Sequence, residues 1–311
     1  MDILENYTST QIQLEPDYEG EAVATLSSSD LNKANRKAVL YIHGYVDYFF
    51  QAHLGKAFNE QDYDFYALDL RKYGRSLLEH QHPNYCKSLN EYYEEISLVL
   101  RQIYDKSNKE VFLMGHSTGG LITSNYMIDG EEKDIVKGLI LNSPFFDFNY
   151  GDFQKSLIVL AAKVMAAPFD YANVSGALSP AYAESIHKDY YGEWDFNLDW
   201  KPIEGFPTYF AWILAINEAQ QKLLEASIDI PVLVMYSNGS AKYSKYTEEA
   251  KNKDIVLNVE DIKRVGEAIG PQVSLLEIEN AVHDIFLSSK KVRENALKQM
   301  FDWLNTTFKN T

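Results

Sequence analysis

Short runs of β-branched, aromatic and aliphatic residues alternate with longer stretches of helical period along the first half of this chain, and few folds tolerate that alternation. Ala38-Val-Leu-Tyr-Ile42 stops at His43-Gly44. Asp64-Phe-Tyr-Ala-Leu-Asp69, Val111-Phe-Leu-Met114 and Val136-Lys-Gly-Leu-Ile-Leu141 follow it, the last ending in Asn142-Ser143-Pro144. Between them the spacing predicts helices over 49–59, 89–104 and 118–128. A strand that is apolar at nearly every position has no solvent face, so it belongs inside a parallel sheet with helices packed on both sides.

After Pro144 the rhythm changes. Residues 145–228 hold no buried-strand run, are rich in Tyr, Phe, Trp and Ala, and are broken by Pro168, Pro180, Pro202 and Pro207. Strand and helix then resume with Pro231-Val-Leu-Val-Met-Tyr236, a helix over 259–269, Val273-Ser-Leu-Leu-Glu-Ile278 and a last helix over 292–308. The expectation is one core, residues 1–144 and 229–311, interrupted by a helical cap over 145–228. At 311 residues the chain is long enough to bury such a core and carry the insertion. Its net charge of −16 repels phosphate backbones and anionic headgroups, so no nucleic-acid partner is expected. No window approaches the ~20 apolar residues of a membrane-spanning helix, and no signal peptide or stable membrane insertion is expected. Cys86 is the one cysteine, which fits a reducing, cytoplasmic compartment and lacks the context of a nucleophile.

Gly115-His116-Ser117-Thr118-Gly119-Gly120 follows the run Val111–Met114 directly and opens a helix. A serine on such a strand-to-helix turn projects its Oγ from the carboxyl edge of the sheet. The glycines remove Cβ atoms where strand and helix approach closely, and the helix N-terminus offers N–H groups to a developing oxyanion. Ser117 is therefore the expected nucleophile; the competing reading is a glycine-rich turn with an idle serine.

A base that reaches Ser117 must come from the end of a later strand. Ala281-Val-His283-Asp284 follows the last strand, and of seven histidines only His283 has that placement. His43, straight after a buried strand, is expected to shape its loop beside Gly44. His116 flanks the serine and cannot turn back onto it. His80 and His82 form a loop pair without a Cys or His at ligand spacing; His82 is read as solvated or substrate-lining, and no metal is expected. Among acids after Tyr236, Glu248, Glu249, Asp254, Glu260 and Asp261 compete, and Asp284 is expected to orient its own loop.

Ile42-His-Gly-Tyr-Val-Asp47, Asp69-Leu-Arg-Lys-Tyr-Gly-Arg-Ser76, the Ser117 motif and Val282-His-Asp-Ile-Phe-Leu-Ser288 together resemble the α/β-hydrolase group that contains monoacylglycerol lipases, lysophospholipases and serine aminopeptidase-like proteins. The resemblance implies the α/β-hydrolase fold, a mostly parallel sheet with helices on both faces and an inserted helical cap. It places the oxyanion donors at the backbone N–H groups of Tyr45 and Thr118. Asp254-Ile-Val256 is similar to the D-x-V at the acid of many such enzymes, which favours Asp254 over Glu248 and Glu249, although the loop before it is longer than usual. It implies a serine hydrolase acting on a small-molecule ester or acyl substrate without a cofactor. An aminopeptidase-like amidase, holding a substrate ammonium on Glu184, Glu193 or Asp195, is the alternative, and a non-catalytic binding module the third. The aromatic residues of 145–228 read equally as an apolar tunnel or as packing. Oligomeric state is not legible.

Overall fold

Each of the apolar runs is a strand in the computed structural model, which describes residues 4–34, 36–106, 108–166, 168–174 and 179–309. In chain order the strands are β1 (Tyr7–Asp17), β2 (Gly20–Ser29), β3 (Lys37–Ile42), β4 (Tyr63–Asp69), β5 (Glu110–His116), β6 (Val136–Asn142), the two-residue strands β7 (Asn173–Val174) and β8 (Thr208–Tyr209), then β9 (Val232–Ser237) and β10 (Val273–Ile278). The helices are α1 (Ala52–Glu60), α2 (Tyr93–Asp105), α3 (Thr118–Asp129), α4 (Asp152–Ala166), α5 (Ala181–Ile186), α6 (Phe210–Leu224), α7 (Val259–Gly266) and α8 (Lys290–Thr307).

The main sheet has the order β1-β2-β4-β3-β5-β6-β9-β10; β7 and β8 pair separately. From β4 to β10 every neighbouring pair is parallel, whereas β1–β2 and β2–β4 are antiparallel. The pleat sorts the core. Leu40 and Ile42 of β3 join the apolar cluster under α2, α3, α6 and α7, while Val39 and Tyr41 join the one under α1 and α8. All of β4 and β5 is buried, as strands covered on both faces must be. The chain passes from β3 to β4 on one side and then back across to β5 on the other. The carboxyl ends of β3 and β5 therefore flank the point where strand order reverses, the crevice where open α/β sheets place their ligands.

Between β6 and β9 the chain leaves the sheet. Phe146, Phe148, Tyr209 and Trp212 of this inserted segment are buried in the large core cluster, so these aromatics pack. Other apolar side chains do not: Phe153, Leu157, Leu160 and Val164 repeat at helical spacing along α4 and lie exposed, with Phe169 beyond them. The stretch 182–201 is tied down, with the Trp194 Nε1–H donating to the Leu287 carbonyl (2.7 Å) and the Asn197 N–H to the Tyr48 hydroxyl (2.7 Å). No helix among the described residues is long and apolar enough to cross a membrane.

Candidate active site

Ser117 is the single residue between β5 and α3, with φ 52° and ψ −117°. A side-chain-bearing residue held there costs on the order of 1–3 kcal/mol, so its surroundings must over-determine it. Its N–H donates to the Asn142 carbonyl (3.0 Å), and its carbonyl accepts from Gly120 and Phe145. The glycines of the motif make the close approach possible: a Cβ on Gly119 would lie 2.2 Å from the His43 carbonyl oxygen, and one on Gly115 2.4 Å from that of Gly119. Gly44 supplies a third bare position, where an added Cβ would stand 3.1 Å from Ser117 Cβ.

His283 lies in the loop between β10 and α8, and its Nε2 is 2.9 Å from Ser117 Oγ. Its Nδ1 is 2.8 Å from Asp254 Oδ2, while Asp254 Oδ1 accepts the N–H groups of Val256 and Leu257 (2.8 Å each). The three side chains thus form one buried hydrogen-bonded chain, in which an Nδ1–H donating to the carboxylate leaves Nε2 to accept the serine hydroxyl. Asp254 is far from β9 in sequence and next to it in space. Its N–H donates to Gly239 and its carbonyl accepts from Ala241, so residues 242–253 form an excursion that returns to the strand end. Glu248 and Glu249 ride on that excursion, largely exposed, bonded to Tyr246 and Tyr243.

Asn142 at the end of β6 is a joint that no motif announces. Besides accepting from Ser117, it donates from Nδ2 to Asp284 Oδ1 (2.8 Å) and accepts the Ile285 N–H (3.2 Å) on its side-chain oxygen. Asp284 also accepts from Gln51 Nε2 and from the Phe286 N–H, and its own N–H donates to the Tyr182 hydroxyl. The loop that carries His283 is therefore held from β6, from the residue before α1 and from the inserted segment.

The remaining histidines occupy distinct places. His43 Nδ1–H donates to the Gly44 carbonyl (2.8 Å) and Nε2 accepts the Leu70 N–H (3.1 Å), so both nitrogens are taken by backbone and the ring props the 43–47 loop. His116 Nδ1–H donates to the Asn142 carbonyl, with its ring 4.9 Å from that of His283. Burial pushes both imidazoles below the usual histidine value. His82 joins other partners: Glu19 (2.6 Å) and the ring of Tyr171, stacked at 3.9 Å. Tyr45 sends its side chain into the inserted segment, its ring tilted against that of Trp212 at 4.1 Å and its hydroxyl donating to Thr208 Oγ1 (3.2 Å). Arg71 bonds Glu94 and Glu95, and Arg75 bonds Asp69 and the Phe49 carbonyl, so both tie loops together. Cys86 is buried, and burial pushes its thiol up to about 12, away from the thiolate form a nucleophile needs. No cluster of metal-ligating side chains gathers among the described residues.

The fold and the likeness to known proteins define the class: this is a hydrolase of the α/β-hydrolase fold. The chain belongs to the family described as serine aminopeptidase S33 (Hydrolase_4), whose model matches residues 33–290. It is 23% identical over 289 residues to a probable lysophospholipase L2 from Haemophilus influenzae, a match covering 88% of this chain and 85% of that one. It is similar in fold to a soluble variant of a monoglyceride lipase from Saccharomyces cerevisiae, at TM-score 0.71 and 18% identity over 96% of this chain and 97% of the other. The monoacylglycerol lipase of Paleococcus ferrophilus follows at TM-score 0.64 and 17% identity, with 96% and 99% covered.

Proposed function

We propose that this chain is a serine esterase that cleaves a carboxylic ester of an acyl chain, in the manner of a monoacylglycerol lipase or lysophospholipase, through an acyl-enzyme on Ser117. The observation that carries the reading is the buried chain of hydrogen bonds from Ser117 Oγ through His283 to Asp254. In it, Ser117 Oγ attacks the ester carbonyl as its proton passes to His283 Nε2. The carbonyl oxygen, now negative, is received by the N–H of Thr118, one of the first in α3 and so without an intrahelical acceptor, and by that of Tyr45. Collapse returns the His283 proton to the departing alkoxide. Water then attacks the acyl-serine with His283 as base, releasing the carboxylic acid and restoring the hydroxyl. Asp254 holds the imidazole in the required tautomer and stabilises its charged form.

An acyl-chain ester is supported by the names of the fold relatives and by the apolar stripe of α4, which lies in the segment proposed to cap the site, residues 145–228. The family description favours a second reading, cleavage of an aminoacyl amide. That reading needs a carboxylate for the substrate ammonium; Glu193 is paired with Arg293 and Asp195 with Lys188, which leaves Glu184 as its best anchor. Turnover of p-nitrophenyl esters of graded chain length, compared with aminoacyl p-nitroanilides, separates the two. The expected result is ester turnover that a fluorophosphonate blocks and that Ser117→Ala lowers by about 10⁴-fold or more with the fold intact. Ester turnover that survives Ser117→Ala refutes the assignment.

A further inference from the structure

Resting on the reading above, we propose that Lys201 is a positioning residue for the oxyanion side of the site: reaching in from the inserted segment, its ammonium holds the 44–47 loop so that the Tyr45 N–H faces the carbonyl oxygen. Lys201 Nζ donates to Asp47 Oδ1 at 2.8 Å and to the Val46 carbonyl at 3.3 Å, with 9% and 3% of the two charged side chains exposed. A pair this far from water is worth having only if its geometry is used, because taking two charges out of solvent costs several kcal/mol per ion.

The loop it grips is strained. Val46 has φ 48°, a left-handed conformation that a β-branched residue avoids, so something must hold that peptide in place. Lys201 binds the carbonyl that follows the strained φ. Asp47 turns its other oxygen back toward the Gly44 N–H at 3.5 Å, and Gly44 is the residue packed against Ser117. Tyr45 is thus bracketed, with Gly44 fixed by His43 and Asp47 on one side and Val46 fixed by Lys201 on the other. The rings of Phe50 and Phe196 lie 5.9 Å and 5.7 Å from the ammonium and keep water from the pair. Burial alone would raise the Asp47 carboxyl; the Lys201 ammonium beside it is the main cause that brings it below the usual carboxylate value. The inserted segment accordingly does more than cover the site: it completes the loop that receives the oxyanion.

Steady-state kinetics on a p-nitrophenyl ester test this. Lys201→Met is expected to lower kcat about 10- to 100-fold, the range for a misplaced oxyanion donor, with KM changed less than about threefold. Fluorophosphonate labelling of Ser117 slows by the same factor, and Lys201→Arg, which keeps charge and donors, recovers most of the loss. Lys188→Met, which removes an exposed ion pair from the same segment, leaves kcat unchanged. Should Lys201→Met not fold, Asp47→Asn carries the same comparison of kcat against KM. Wild-type kcat in the folded variant, or a loss confined to KM, overturns the proposal. A wild-type protein inert to both ester and fluorophosphonate overturns the esterase reading instead.

Discussion

Ser117 sits in a backbone conformation that a serine avoids, and the residues that force it there are mostly ones without side chains. Gly119 is the most demanding of them, because the atoms an added Cβ would meet are backbone carbonyls at and just beyond the end of β3, Ile42 at 2.5 Å and His43 at 2.2 Å, which cannot swing aside as a side-chain end would. Gly119→Ala must therefore part α3 from β3. The expected loss is about 1–3 kcal/mol or more, read as a lower urea midpoint, with labelling of Ser117 impaired in whatever remains folded. A wild-type midpoint would refute the contact. This requirement is legible in the sequence, since a glycine at a fixed offset from a serine after an apolar run has few other reasons to be there. Asn142 is not legible in the same way. Its role arises only because β6 lies beside β5 and its side chain can span the ends of two loops far apart in sequence.

At the scale of elements, the buried parallel strands announce themselves through unbroken apolar runs, and β3, β4, β5, β6, β9 and β10 fall within a residue or two of the runs that predict them. The β1–β2 hairpin escapes that search because β1 exposes most of its residues and reads as polar. The surviving signal is the alternation of Ile12 and Leu14 with Gln11, Gln13 and Glu15, a period of two that only a half-buried strand explains. What secures the hairpin is a buried cation. Lys72 Nζ lies 2.7 Å from Asp17 Oδ2 and 2.8 Å from Glu19 Oε2, with the Tyr18 ring 4.3 Å beneath it and the lysine side chain wholly buried. Lys72→Met would leave the buried Asp17 Oδ2 and Glu19 Oε2 without their cation, Glu19 keeping only His82, and the expected cost is about 3–5 kcal/mol. Urea unfolding should show it, and Asp17→Asn with Glu19→Gln added should recover part of the loss. An unchanged midpoint in Lys72→Met would mean the hairpin is held by its ladder alone. Asp254 is hidden for a related reason: the 242–253 excursion separates in sequence what the Gly239 and Ala241 backbone bonds join in space.

Across the whole molecule, several imidazoles are buried in the interior of a chain whose net charge is −16. Burial lowers His43 and His116 below 6.5, and the less deeply buried His53 shifts the same way. The unfolded chain therefore takes up protons on these groups first as pH falls, while the folded chain resists. Their contribution to stability is fully present above about 6.5 and is lost as pH drops below it toward the folded values, by at most about 1.4 kcal/mol per pH unit for each group. Glu95 works the other way, since burial outweighs the pull of Arg71 and raises its carboxyl, so protonation favours its folded form. Relief of repulsion among surface carboxylates also favours the acid side, but those groups titrate nearer 4, below the histidine window. Between pH 6.5 and 5.5 the histidines are expected to dominate, because three are shifted down by burial and His43 in addition has both ring nitrogens committed to backbone, between Gly44 and Leu70. Thermal unfolding midpoints should be flat from pH 7.5 to 6.5 and fall between 6.5 and 5.5. The same fall should reach the active site, because protonating His43 Nε2 evicts the Leu70 N–H and releases the loop that Gly44 presses against Ser117. A midpoint that holds or rises over that interval would mean the interior histidines are not kept neutral by burial.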